Sequence, residues 1–171
     1  KLNLQRALAV DDAYMPAFNQ LAIYYLESAK LQAGKTNSKF EKAGSKSSKV
    51  DTQALDLALL VTSQAIRKNA SFAPTFNTAG LIFVQQGNLN KAVESFGTAR
   101  KLDPTFFEAH MNYAAVNMEF RGFAQAEQAY RDALKVKPND YYAHVVRAVA
   151  LRGEIKDTNF TQKLAESQSE I

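Results

Sequence analysis

Cysteine is absent from this 171-residue chain. That excludes a disulfide framework, a thiolate metal site and a thiol nucleophile, although it names no compartment. Histidine is scarce, with His110 and His144 the two present. No apolar run approaches the roughly 20 residues of a membrane-spanning helix. No Gly-rich phosphate loop and no nucleophile–base arrangement stands out. Catalysis is therefore not expected within these residues, and no cofactor is implied. The chain begins with Lys1, not Met, and shows no signal peptide. It opens in mid-repeat and reads as a piece of a longer protein, so any targeting segment could lie outside it.

What is present is a periodic pattern, clearest from Ala73 to Phe106. Its first half carries Phe76, Ala79, Gly80 and Phe83. Its second half, after Gln86-Gly87-Asn88, carries Ala92, Val93, Phe96 and Ala99. Apolar and small residues at steps of three and four mark one face of a helix. The small ones leave room for a neighbouring helix, and a larger side chain there costs roughly 1–3 kcal/mol in overpacking. Pro104 lacks an N–H and stops the second helix.

The pattern recurs at a constant spacing, the one that separates Pro104 from Pro138. One step on lie His110, Tyr113 and Ala114, then Ala126, Tyr130 and Ala133, then Pro138 itself. A further step gives His144, Ala148 and Leu151. In the other direction Ala58, Thr62 and Ala65 lie one step back, and their first helix, with Phe18, Leu21, Ala22 and Tyr25, lies further back, at the one break in the period. Leu4 and Ala7 fit the end of a still earlier one. This pattern resembles the tetratricopeptide repeat, whose unit of about 34 residues is a pair of antiparallel helices, A and B. The resemblance implies an all-α, right-handed superhelical solenoid of such pairs.

The expected organisation is a single solenoid fragment. Residues 1–14 hold the end of a helix B. Repeat 1 spans 15–72, repeat 2 spans 73–106, repeat 3 spans 107–140, and 141–171 is a partial fourth repeat or a capping helix. Gly153 reads as the end of the fourth helix A, with a final helix from Thr158 to Glu170. There Phe160 and Ser167 replace alanines, Leu164 takes the aromatic position, and Arg147 takes a buried one. Ser71, Thr105 and Asn139 are expected N-caps. Gly87 and Gly122 read as turn glycines. Repeat 1 is longer than the others because of a Lys-rich insertion at 33–49. Of the 21 basic and 17 acidic residues, five and one lie in that insertion, which leaves 16 of each elsewhere. The insertion holds one large apolar residue, Phe40, and reads as a solvated loop. Its functional alternative is an arm for a polyanion or acidic surface.

The two histidines share one repeat position, held elsewhere by Phe18 and Phe76. They read as packing residues, the alternative being a metal pair without carboxylate or Cys ligands at suitable spacing. Glu41, Asp51, Asp56, Glu94, Asp103 and Glu127 read as solvent-face charges.

Function is then expected to lie in a surface. In the family that this chain resembles, helix A residues line a concave groove. Carried onto this sequence, the groove comprises Asn19, Ile23, Asn77, Leu81, Val84, Met111, Asn112, Ala115, Met118, Tyr142, Val145 and Val149. Gln20, Leu26, Thr78, Gln85, Glu119 and Val146 belong to the same expected lining. The groove is mostly apolar and suits an extended or helical peptide, unless the protein's own tail or a neighbouring repeat fills it. The positions that hold a chaperone-tail carboxylate clamp in the family carry Asn77, Leu81, Asn112, Tyr142 and Val146, with no cation, so that clamp is not assembled. The leading reading is a protein-binding scaffold within a larger assembly; the resemblance brings to mind bacterial envelope, pilus or gliding-motility machines. The rival is an RNA- or polyanion-binding helical repeat that uses the Lys-rich loop, disfavoured because the groove lacks basic and stacking residues. The N-terminal half-repeat is expected to self-associate through an apolar edge at Leu4 and Leu8.

Overall fold

The computed structural model describes residues 1–36 and 52–169. Among the described residues the chain is all helix. In order come α1 (Leu2–Val10), α2 (Met15–Thr36), α3 (Thr52–Lys68), α4 (Ala73–Gln85), α5 (Leu89–Leu102), α6 (Phe107–Glu119), α7 (Phe123–Val136) and α8 (Tyr141–Ser169). No described helix is long and apolar enough to cross a membrane. The chain forms two compact units, Lys1–Ser95 and Phe96–Ile171.

In the first unit α2 packs on α1, α3 and α4, and α3 packs on α4. One cluster joins Met15, Phe18, Leu21 and Ala22 of α2 to Val61 and Ala65 of α3. A second joins Leu26 and Ala29 to Ala54, Leu55, Ala58 and Ile82. Leu4 and Leu8, expected at an open edge, are partly buried against the first cluster. The large apolar residues of α1 left outside are Leu2 and Val10. In the second unit α7 packs on α6 and α8 around Ala114, Ala126, Ala129, Tyr130 and Ala150.

The helix B alanines carry this packing. Ala58, Ala65, Ala92, Ala99, Ala126 and Ala133 are all fully buried. A methyl group is the largest side chain that lets two helix backbones approach so closely, and it loses no rotamer freedom on burial. Thr62, which replaces an aromatic, is also buried; its Oγ1 donates to the Ala58 carbonyl at 2.7 Å, so its polarity is satisfied inside its own helix.

The termini differ from expectation in four places. The N-caps of α4 and α6 are Phe72 and Phe106, not Ser71 and Thr105. The hydroxyl residues instead close turns one step earlier. Ser71 N and Oγ donate to Asn69 Oδ1 at 2.9 and 2.7 Å, and Thr105 N and Oγ1 donate to Asp103 Oδ1 at 2.9 and 2.7 Å. Asp11 accepts from Ala13 N in the same way at 2.9 Å. Lys137 holds this position before α8 and cannot accept, so Asp140 caps instead, accepting from Ala143 N at 2.8 Å. This displaces the expected Asn139.

The second difference is α8, a single helix where a helix–turn–helix was expected. Gly153 is not a stop. A Cβ placed there would lie 2.5 Å from the Phe123 ring, so this glycine lets the start of α7 seat against α8. A glycine that fits a neighbour looks the same in sequence as one that ends a helix. The expected roles of Phe160, Leu164 and Ser167 lie outside the described side chains. Third, the left-handed residue before α7 is Arg121, at φ 58°, not Gly122. It matches Gly87, at φ 74°, one repeat earlier. Fourth, α2 continues as helix through Thr36, so the first residues of the expected insertion are helical. The rest of the insertion, including Phe40 and Glu41, lies outside the described residues.

Candidate binding surface

The anticipated groove residues divide between the two units. In the first, Asn19, Ile23 and Leu81 are half-buried, Val84 is exposed and Asn77 is buried. Asn19 is tied down, since its Oδ1 accepts from Thr78 Oγ1 at 2.6 Å. Thr78 and Leu26, expected in the groove lining, are instead buried; Leu26 belongs to the second cluster. The buried stripe of α2 takes in Leu26 and continues to Ala29, and the Thr78 hydroxyl of α4 turns inward to Asn19. In the second unit Met111, Asn112 and Met118 are half-buried. Ala115, Tyr142, Val145 and Val149 are exposed. Met111, Met118 and Val146 also touch the core of this unit. The residues expected to hold the repeats together, Phe76, Phe83 and Tyr113, are half-buried. The largest fully buried side chains among the described residues are instead Phe96, Leu26 and Ile82.

Charge enters the second unit in a way the pattern did not suggest. Glu127, read as a solvent-face charge, is buried with 5% of its surface exposed. Its Oε1 accepts from Arg147 Nε at 2.8 Å, and Arg131 Nη2 reaches both carboxylate oxygens at 3.0 and 2.9 Å. Burial by itself pushes this carboxyl upward. The hydrogen bonds from Arg147 and Arg131 outweigh that and leave its pKa below the usual value. Leu59 and Val93 hold the position of Glu127 in earlier repeats, and Leu21, Ala79 and Tyr113 hold that of Arg147. Two departures from the repeat thus form one ion pair.

A second network surrounds His110. The ring is buried; Nε2 lies 2.8 Å from the Pro104 carbonyl, and Nδ1 accepts from Arg100 Nε at 2.8 Å. An arginine cannot accept, so Nδ1 carries no proton and the ring is the neutral Nε2–H tautomer. Burial is the main cause of its lowered pKa, and the Arg100 charge adds to it. Arg100 also pairs with Asp132 at 3.3 Å and lies over the Tyr113 ring at 4.4 Å. Burial raises the Asp132 carboxyl, but hydrogen bonds from Lys135 and Gln128, with the charges of Lys135 and Arg100, leave it lowered. His144 repeats half of this arrangement, with Nε2 2.8 Å from the Pro138 carbonyl. Each histidine is thus held by the main-chain carbonyl of the proline that follows the preceding helix. Among the described residues no group of His, Asp and Glu is arranged to hold a metal.

These arrangements anchor and neutralise; none presents a reactive group to solvent. What the surface offers is apolar side chains with a few amides. No curated protein sequence matches the chain. The family model for the TPR repeat matches residues 80–119. Among solved structures, a thermophilic TPR protein of Thermus thermophilus is 23% identical, with TM-score 0.69, over 87% of this chain and 70% of that one. MamA is 13% identical, with TM-score 0.63, over 98% and 80%. The first TPR of Spaghetti (RPAP3), bound to an HSP90 peptide, is 12% identical, with TM-score 0.58, over 80% and 98%. The helix pairs, their constant spacing and these likenesses agree: the chain carries a tetratricopeptide repeat and has the fold of tetratricopeptide-repeat proteins.

Proposed function

We propose that this chain is a protein-binding scaffold whose helix A surfaces receive a peptide or a partner helix. The observation that carries the reading is the set of apolar side chains left accessible at helix A positions. Val84 in the first unit and Tyr142, Val145 and Val149 in the second are exposed, although hydrophobic burial opposes it. Half-buried Leu81, Met111 and Met118 lie at related positions. Methionine adapts its shape to a ligand, and Asn112 can serve an extended backbone. Two similar structures support the class of ligand. One is the HSP90-peptide complex above. The other is the TPR2B domain of yeast Sti1 in complex with pHsp70, 13% identical with TM-score 0.53 over 75% of this chain and 98% of that one. The ligand of this chain differs from those tails, because Leu81, Tyr142 and Val146 stand where a terminal carboxylate would need cations.

The test is selection of ligands from a random peptide library, followed by Val84→Arg and Val149→Arg, both at exposed positions. Each substitution obliges a ligand to desolvate a guanidinium at an apolar contact. Affinity is expected to fall at least tenfold with the melting temperature within about two degrees of the parent. Selection of polyanions in place of apolar peptides, or unchanged affinity in both variants, overturns the reading.

A further inference from the structure

α8 has two opposite faces. One holds Ala143 and Ala150, both fully buried, packs on α7 at Ala150, and sends Arg147 to Glu127. The other carries Tyr141, Val145, Ala148, Leu151 and Ile155, all exposed. At about 100° per residue this second face is centred on Ala148 and lies opposite the buried pair. Ala148 holds the repeat position of Ala22, Gly80 and Ala114, and those three are buried. Ala22 clusters with α3 and Ala114 with α7, the second helix of each one's own repeat. In the fourth repeat α8 runs on without a turn to Ser169. The surface that a second helix covers elsewhere is therefore open here, small residue included.

We infer that a second copy of this chain covers this face, with the two α8 helices antiparallel about a two-fold axis at Ala148. The residues of the face are complementary to themselves in that arrangement. Val145 meets Leu151 of the second copy, Tyr141 meets Ile155, and His144 meets Arg152. The alanine at the crossing point lets the backbones approach, as it does within the chain. The polar pair also has an internal precedent. His110 donates from Nε2 to Pro104 O while its Nδ1 accepts from Arg100. His144 repeats the first contact at Pro138, but Leu134 stands in the place of Arg100. Arg152 of the second copy supplies the missing donor to His144 Nδ1. A partner without a matching donor and acceptor would strand both groups beside apolar neighbours. Five apolar side chains per copy make a small interface, so the dimer is expected to have a dissociation constant on the order of 10 µM. The face shares only Val145 with the proposed peptide surface, so either reading can fail alone.

The absence of cysteine gives a direct test. At a two-fold axis Ala148→Cys faces itself. Mild oxidation of the Ala148→Cys protein should give a disulfide-linked dimer at least tenfold faster than Asn90→Cys, an exposed control in the first unit. Sedimentation equilibrium should show monomer and dimer only. Ala148→Glu should raise the dissociation constant about 100-fold by burying two like charges, and Arg152→Ala about tenfold. Circular dichroism establishes that each variant stays helical; should Ala148→Glu unfold, the Cys comparison decides. A monomer at about 1 mM, a hundredfold above the expected range, equal crosslinking rates, or oligomers growing beyond the dimer would each overturn the inference.

Discussion

The two units solve the same packing problem with different chemistry. The first is closed by apolar side chains, mostly aliphatic, and its buried polar side chains are neutral, among them Thr62 on a carbonyl and Thr78 on Asn19. The second also has an alanine core, but it buries a carboxylate between two arginines and a neutral histidine against a third. Apolar packing is tolerant of detail and is lost gradually with buried volume. Buried charge is intolerant, because removal of one partner strands the other. The units should therefore respond differently to substitution and to acid.

The largest effect is expected in the aliphatic unit. Ile82 is fully buried within the cluster of Leu26, Leu55 and Ala58. Ile82→Ala should destabilise the protein by about 3–4 kcal/mol, through lost transfer energy and an unfilled cavity. Its neighbour Phe83 is half-buried under Lys91 and should cost about half as much when truncated to Ala. Urea denaturation of both variants checks the order. A larger loss at Phe83 would mean that the aromatic, not the aliphatic residue, closes this unit.

The charged unit should break in a different manner. Arg147→Ala leaves Glu127 buried with Arg131 as its one remaining partner, at a cost of about 2–3 kcal/mol. The double variant Glu127→Val with Arg147→Tyr restores the residues found one repeat earlier and should recover most or all of that stability. A double-mutant cycle measured by denaturation gives the coupling directly. Additive losses would show that the pair is not an energetic unit. The lowered Glu127 pKa adds a sign: its stabilisation is full above the unfolded value near 4.5 and is lost as the pH falls through the lower folded value.

Legibility in the sequence followed the same division. A constant repeat spacing and steps of three and four located the helix pairs, because apolar periodicity is a property of single residues read in order. Arg147 stood out as a polar residue at a buried position. Its partner did not, because Glu127 lies 20 positions earlier on another helix and its position is apolar in the other repeats. Pairing across helices is a two-body property that a one-dimensional period does not encode. The caps failed for a local reason. Ser, Thr, Asn and Asp crowd each junction, and the period does not say which of them turns back and which faces the helix. Gly153 failed because its constraint is the ring of Phe123, distant in sequence. Of the residues expected to line a groove, Tyr142, Val145 and Val149 are exposed on α8, whereas Leu26, Asn77 and Thr78 are buried, because a helical period does not say how wide the buried stripe is.

Acid should separate the units more gently. Both histidines lie in the second unit. His110 has a lowered folded pKa, so the native state resists protonation there. The associated stability is present above the unfolded value near 6.5 and declines as the pH falls from there through the folded value. Protonation would also put an N–H on Nδ1, facing the Arg100 donor. Asp132 stays ionised over that window, because its own pKa lies below the usual 3.8. Thermal unfolding should therefore lose a few degrees between pH 7 and about 5. His110→Gln keeps a donor and an acceptor without a titrating group, and should flatten the profile. An unchanged profile in that variant would assign the acid sensitivity to another group.

The smallest effect should be a gain, and it lies in the aliphatic unit. Thr75 is 1% exposed, and its Oγ1 is the one buried side-chain polar atom among the described residues without a hydrogen-bond partner. Alanine holds the same repeat position at 17, 109 and 143, buried each time. Unlike Thr62, Thr75 sits in the first turn of α4, where no carbonyl four residues back belongs to the helix. The methyl group packs and the hydroxyl is stranded. Thr75→Val keeps the volume and removes the stranded group, so stability should rise by about 1 kcal/mol. Thr75→Ala removes the same hydroxyl but opens a methyl-sized gap, and should gain less or nothing. The difference between the two separates polarity from volume at one site. If Val destabilises the protein, the hydroxyl has a partner in solution, and the first unit then also depends on a buried polar contact at the start of α4.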